Sequence, residues 1–177
     1  MAVTDQLRRG AGVISWYVAF PEAFADWRNP TTAELNNDEL VKNITCAVDE
    51  DGTTWTLGDS DTDDRYSYCD ESGIDRPTFY NPEVTLGIYR DADRAAAGEF
   101  NTALNLFMFP DVDLIIIKRV GDQDNPPSAP VTAGDRVSMQ HIKTDYMAEA
   151  LASEDPVMFE ATGIQQGRVA WQLEVGA

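Results

Sequence analysis

The chain has 177 residues, of which 43% are hydrophobic and 10% aromatic, enough apolar surface to fold around a core. Its 31 acidic residues face 13 basic ones, for a formal net charge of −18. The apolar content excludes a disordered acidic tail, and the charge excludes a nucleic-acid binder, whose affinity comes from Lys and Arg neutralising phosphates.

At the N-terminus an arginine pair, Arg8 and Arg9, precedes an apolar run over residues 13–20. Ser15 and Tyr17 interrupt that run and Pro21 ends it, so it is too short for a bilayer span and does not read as a signal peptide. Residues 1–43 are expected to form an arm carrying Trp16, Tyr17, Phe20, Phe24 and Trp27, closed by a short helix. Thr31 and Glu34 have capping-box spacing, in which the hydroxyl meets the N3 amide and the carboxylate reaches back. Asn36, Asn37 and Asp38 then stop the helix.

From residue 44 the pattern is mostly strand. Residues 44–48 and 53–57 flank Asp49-Glu50-Asp51-Gly52, which reads as a hairpin turn. Residues 65–69 give another short strand, and residues 83–89 alternate with Val84, Leu86 and Ile88 on one face. Residues 95–109 break the pattern: Ala96, Phe100, Ala103, Leu104, Phe107 and Met108 recur at helical spacing, with Asp91 or Asp93 to cap the start and Pro110 to stop it. The run 112–120, centred on Leu114-Ile115-Ile116-Ile117, reads as a strand covered on both faces. After a proline-rich loop over residues 121–130, residues 136–146 and 156–165 read as long strands. In residues 167–175, alternation points Val169, Trp171, Leu173 and Val175 inward and Arg168, Ala170, Gln172 and Glu174 outward.

These elements predict an α+β, mainly β, single domain: an antiparallel β-sandwich or partial barrel over residues 44–177 with one flanking helix near 95–109, preceded by the arm and carrying extended loops.

Groupings that carry chemistry are sparse. Asp59, Asp61 and Asp63 have the spacing that opens a calcium loop, and Asp70 falls at its twelfth position. The sixth position, however, is Asp64 where glycine is required, and the twelfth lacks the bidentate glutamate, so the run reads as an acidic, mobile loop. The acids crowded between Asp49 and Asp75 share one hydrophilic environment, whereas two-carboxylate catalysis needs unlike ones. His141 is the single histidine and lies in a strand, and no GxSxG, GxxxxGK[ST] or GxGxxG occurs. Cys46 and Cys69 read as reduced, buried thiols with no metal-ligand spacing. No catalytic residue, metal or cofactor is expected. Trp55, Tyr66 and Tyr68, if exposed, would suit a carbohydrate-stacking platform, although core or subunit contact is the commoner use of such aromatics.

Several segments taken together carry a resemblance: Trp27-Arg28-Asn29-Pro30-Thr31-Thr32-Ala33-Glu34-Leu35-Asn36, Gly58-Asp59-Ser60-Asp61-Thr62-Asp63-Asp64, Tyr89-Arg90-Asp91, Ile117-Lys118-Arg119-Val120-Gly121 and Ala133-Gly134-Asp135-Arg136-Val137. In this order, across residues 25–170, they resemble the major tail tube proteins of siphophages, long-tailed bacteriophages, infecting actinobacteria. The resemblance implies a non-enzymatic virion subunit, assembled in the host bacterial cytoplasm, that forms hexameric rings stacked into a tail tube. Implied partners are further copies, tape-measure, terminator and distal tail proteins, and genomic DNA that passes without specific binding; no membrane is involved. Acidity then suits a bore that repels phosphates during ejection. Outward strand positions Glu83, Thr85, Glu160, Thr162, Gln172 and Glu174 are the expected lumen-facing residues. Trp16, Tyr17, Phe20, Asp59, Asp61, Asp63 and Asp64 are the expected inter-ring or inter-subunit contacts. A tube terminator or decoration protein would share this composition.

Overall fold

The computed structural model describes residues 14–58, 61–63, 76–79, 81–121, 128–150 and 158–177. Its strands are β1 (Ile14–Ala19), β2 (Val41–Asn43), β3 (Val48–Leu57), β4 (Asp61–Asp63), β5 (Arg76–Phe79), β6 (Pro82–Tyr89), β7 (Asp113–Val120), β8 (Arg136–Thr144), β9 (Ala148–Ala150) and β10 (Met158–Glu174), with helices α1 (Thr32–Leu35) and α2 (Glu99–Phe107). One antiparallel sheet runs in the order β2-β1-β7-β8-β10-β6-β3, with β9 beside β10, while β4 and β5 form a separate pair. The main sheet takes the partial-barrel form of the expected architecture. Trp16 on β1 and Trp55 on β3 stand far apart in strand order, yet their rings meet at 5.6 Å. Only a sheet curled toward that face brings them together.

The two faces carry separate cores. On the concave face Trp16, Val18, Val84, Leu86, Ile88, Leu114, Ile116 and Ile142 pack with Phe107 and Ala103 of α2. On the convex face Tyr17, Ala19, Ile115, Ile117, Val137 and Met139 are covered by Phe24, Leu35, Val131 and Val175. Residues one step apart on β1 and β7 thus enter opposite cores, which is why these strands read as continuous apolar runs. The segment expected as an arm therefore includes an interior strand, since β1 lies between β2 and β7.

The sheet's two edge strands, β2 and β3, are joined through Ile44 and the 3-10 turn Thr45–Ala47. Ile44 donates its amide to Trp16 O at 2.9 Å, and Thr45 Oγ1 accepts from Trp16 N at 2.9 Å, so this turn is stitched to β1. Helix α2 packs against β2, β6 and the same turn, covering the seam of the curl.

Three sequence expectations are corrected. Asp49-Glu50-Asp51-Gly52 is not a hairpin turn but a bulge inside β3: β6 advances two residues from Gly87 to Thr85 while β3 advances five from Asp49 to Thr54. The Asp49 carboxylate closes it by accepting from Gly52 N at 2.7 Å. Helix α2 begins at Glu99, not 95, because Asp91 and Asp93 spend their side chains on local turns, accepting from Asp93 N at 2.8 Å and Ala95 N at 2.9 Å. Residues 158–174 are one strand, and its alternation is broken twice by register shifts against β8, between Gln165 and Val169 and between Ala170 and Leu173. The second shift separates Trp171 from Leu173: Trp171 stacks on Trp55 at 5.1 Å, whereas Leu173 packs on the convex core.

The capping box forms as expected. Glu34 N donates to Thr31 Oγ1 at 3.3 Å, Thr31 N donates to Glu34 Oε2 at 2.9 Å, and Ala25 N adds a bond to Glu34 Oε1 at 2.9 Å. Partial burial alone would push the Glu34 carboxyl up. The amides of Ala25 and Thr31 and the Thr31 hydroxyl outweigh it and hold the group below the usual glutamate range. The helix is anchored to the last residues by a parallel bridge between Thr31 and Gly176.

One buried cation sits in the convex core. Arg119 is fully buried, its Nε 3.2 Å from Asp135 Oδ2, an ion pair too poorly aligned to count as a hydrogen bond. Its Nη1 donates to Ala129 O at 2.8 Å and Tyr17 Oη at 3.4 Å. This pair links the end of β7 to the turn before β8, and so gives physical content to two of the resembling segments.

Candidate functional site

The convex face is only half covered. Over β1, β7 and β8 it carries the second core, but over β3, β6 and the first part of β10 none of its described residues joins that core. There Thr54, Thr56, Glu83, Glu160 and Thr162 are exposed and Thr85 is half-buried. Register places them together: Thr85 lies opposite Thr162 on one side and Thr54 on the other, Glu83 lies opposite Thr56, and Glu160 lies opposite Gly87. Glu83 and Glu160 thus flank a row of threonines. Four of the expected lumen residues, Glu83, Thr85, Glu160 and Thr162, share this face.

Its border is charged as well. Ile164, exposed, pairs with Lys143, and Lys143 pairs with Asp113. Lys143 Nζ lies 2.7 Å from Asp111 Oδ1 and 3.8 Å from Asp113 Oδ2. The hydrogen bond to Asp111, helped by the charges of both aspartates, holds the ammonium above the usual lysine range despite slight desolvation. His141 Nε2 sits 3.1 Å from Asp113 Oδ1. The lysine on this face is therefore matched by two carboxylates, whereas Glu83 and Glu160 have no ion-pair partner among the described residues.

Gln172 and Glu174 are exposed but lie at the far end of β10, Gln172 within the second bulge and Glu174 beyond it. There Arg136 donates to Gln172 O at 3.3 Å and lies 3.7 Å from Glu174 Oε2. Of the expected contact residues, Trp16 and Tyr17 are buried on opposite faces of β1, and Phe20 is half-buried against the concave core. Asp59 and Asp64 lie outside the described residues. Asp61 and Asp63 belong to β4, paired with β5, so this part of the acidic run is strand and not loop. The strand expected at 65–69, and with it Tyr66, Tyr68 and Cys69, lies outside the described residues, as does most of the 121–130 loop.

Trp55 is no exposed platform: it is half-buried and stacked between Trp16 and Trp171. Cys46 is exposed, not buried, because it lies on the outer side of the seam turn; a hydrogen bond with Glu99 pushes its thiol up, with desolvation and the Glu99 charge adding to it. Among the described residues no group of three or more His, Cys, Asp or Glu could hold a metal ion, and no helix is long and apolar enough to cross a membrane.

A curled antiparallel sheet with an exposed face bearing Glu83 and Glu160 and one helix over its seam defines a mainly β, half-barrel domain. The chain belongs to the phage tail tube protein family, whose model matches residues 1–177. Comparison with curated proteins gave no match. Membership makes the chain a structural subunit of a phage tail tube, in a generally non-enzymatic family, assembling with other copies and tail components in the virion tail.

Proposed function

We propose that this chain assembles into hexameric rings that stack into the tail tube, and that the uncovered face of β3, β6 and β10 lines the bore through which DNA is ejected. The observation that carries the reading is the grouping of Glu83, Thr85, Glu160 and Thr162 on one exposed sheet face. A conduit needs this surface chemistry: carboxylates repel phosphates, and threonine hydroxyls keep the wall wet without a fixed cation. Screening over about 8 Å at physiological salt confines the effect to residues that face the bore. Gln172 and Glu174 join the bore at its rim. The chain acts without catalysis and without a cofactor; tape-measure, terminator and distal tail proteins are its other partners, and assembly takes place in the host cytoplasm.

Two measurements test this. Concentrated purified protein should form hollow tubes of uniform width by negative-stain electron microscopy. Phage carrying Glu83→Lys with Glu160→Lys should still build tails but eject DNA more slowly at low salt, with the defect shrinking as salt is added. Unchanged ejection at low salt would remove this face from the bore.

A further inference from the structure

The boundary between the covered and uncovered halves of the convex face holds a groove of about 660 Å³. Its lining joins Phe24, Ile115 and Leu173 with Asp26, and it brings Arg28 and Arg168 together beside Trp27. Both walls are built features. On one side Asp26 organises a turn, accepting from Arg28 N at 3.1 Å and from Asn29 Nδ2 at 2.6 Å. That turn presents Trp27 with the Arg28 guanidinium 5.2 Å from its ring centre. On the other side β10 advances four residues, from Gln165 to Val169, while β8 advances two, from Ile142 to Gln140. The extra length is a bulge with Gly167 at φ +72, and it pushes Arg168 out of the ladder.

These arginines stand out in a chain of net charge −18. Elsewhere on the surface Lys143 has Asp111 and Asp113 as carboxylate partners, and Arg136 has Glu174. Among the described residues neither Arg28 nor Arg168 has an ion-pair partner. A guanidinium stacked on an indole at the mouth of a groove of mixed polar and apolar lining matches a peptide segment that brings carboxylates alongside an apolar side chain.

We infer that this groove is a docking site for an acidic segment of a second copy of this chain. The inference rests on the tube reading, which supplies other copies at high local concentration, and on charge complementarity: 31 acidic residues per copy against two arginines that, among the described residues, form no ion pair and share the groove with one carboxylate, Asp26. Because the groove and the acidic segment are different patches of one chain, the contact is heterologous, the type that closes rings or extends stacks.

The test compares wild type with the double variants Arg28→Glu/Arg168→Glu and Arg28→Lys/Arg168→Lys under conditions in which wild type forms tubes. The glutamate variant should keep the wild-type melting temperature, remain monomeric in sedimentation, and need roughly tenfold or more protein to assemble. The lysine variant, which keeps the charge, should assemble at a concentration closer to wild type. A photo-cross-linking amino acid at position 27, in tubes built from a mixture of isotopically light and heavy chains, should join Asp- or Glu-bearing peptides of a different copy. Assembly of the glutamate variant at wild-type concentration, or cross-links confined to the same chain or made to added duplex DNA, would overturn the inference while leaving the tube reading standing. If the glutamate variant fails to fold, the cross-linking result decides. A wild-type chain that never assembles would remove the tube reading and, with it, the second copy as occupant.

Discussion

Removing Asp135 should damage the fold more than removing its partner. Arg119 is fully buried, with 0% of its side chain accessible against 15% for Asp135. Asp135→Ala strands a guanidinium that keeps only neutral acceptors, Ala129 O at 2.8 Å and Tyr17 Oη at 3.4 Å. An uncompensated buried charge of this kind costs about 3–5 kcal/mol. The substitution also removes the bonds from Thr132 N at 2.8 Å and Thr132 Oγ1 at 3.2 Å, which are exposed and add little. Arg119→Met keeps most of the buried stem and leaves Asp135 near water with its Thr132 donors, so its cost should be smaller, about 1–3 kcal/mol. The double variant should be less destabilised than the two losses combined, since the stranded charge disappears with its partner. Urea denaturation followed by tryptophan fluorescence reads all three variants at a protein concentration low enough to keep the chain monomeric. Set against a typical total of about 5–15 kcal/mol, the Asp135→Ala loss of about 3–5 kcal/mol is roughly a fifth or more of the stability. If Asp135→Ala proves no more costly than Arg119→Met, the reasoning from burial asymmetry fails.

Two further outcomes follow from local geometry. Glu34 has a folded pKa below its ordinary value of about 4.3, so its contribution is fully present above that value and is lost as pH falls through the lower folded one. Glu34→Gln should therefore flatten the acid limb of the stability curve, and Thr31→Ala should cost about 1 kcal/mol near neutral pH, both by denaturation across pH. Gly163 pairs with both Thr144 and Val84, and a Cβ there would lie 2.6 Å from Ile142 Cδ1 and 2.9 Å from Val84 Cγ1. Gly163→Ala should cost about 1–3 kcal/mol through overpacking, measured by thermal melting.

Features set by neighbours in sequence were legible, and those set by partners across the sheet were not. The capping box at Thr31 and Glu34, the inward set Val84, Leu86 and Ile88, and the double burial of residues 114–117 follow from short-range spacing, and the structure has all of them. The bulges in β3 and β10 left no local mark, because glycine and acidic residues such as Asp49-Glu50-Asp51-Gly52 suit a hairpin turn equally well. Only their shared partner β6 makes residues 48–57 one strand. The same limit misplaced Trp171, since a register shift reverses every side chain beyond it. Alternation alone points Glu83 and Glu160 outward, and both are exposed, yet their position on either side of Thr85 and Thr162 needs the pairing of β6 with β10. Arg28 and Arg168 are far apart in sequence and belong to different segments, so nothing local joined them.

The long strand β10 has a mechanical consequence. It pairs with β6 through Met158–Gly163 and with β8 through Gly163–Glu174, so the bare and covered halves of the sheet hang on one backbone. Its two bulges act as keys in a slot: sliding β10 past β8 would have to move both at once. Tension applied to one half would therefore load the other through peptide bonds and interstrand ladders together. The subunit would deform as a single stiff plate, and its stiffness would carry over to any object built by repeating it.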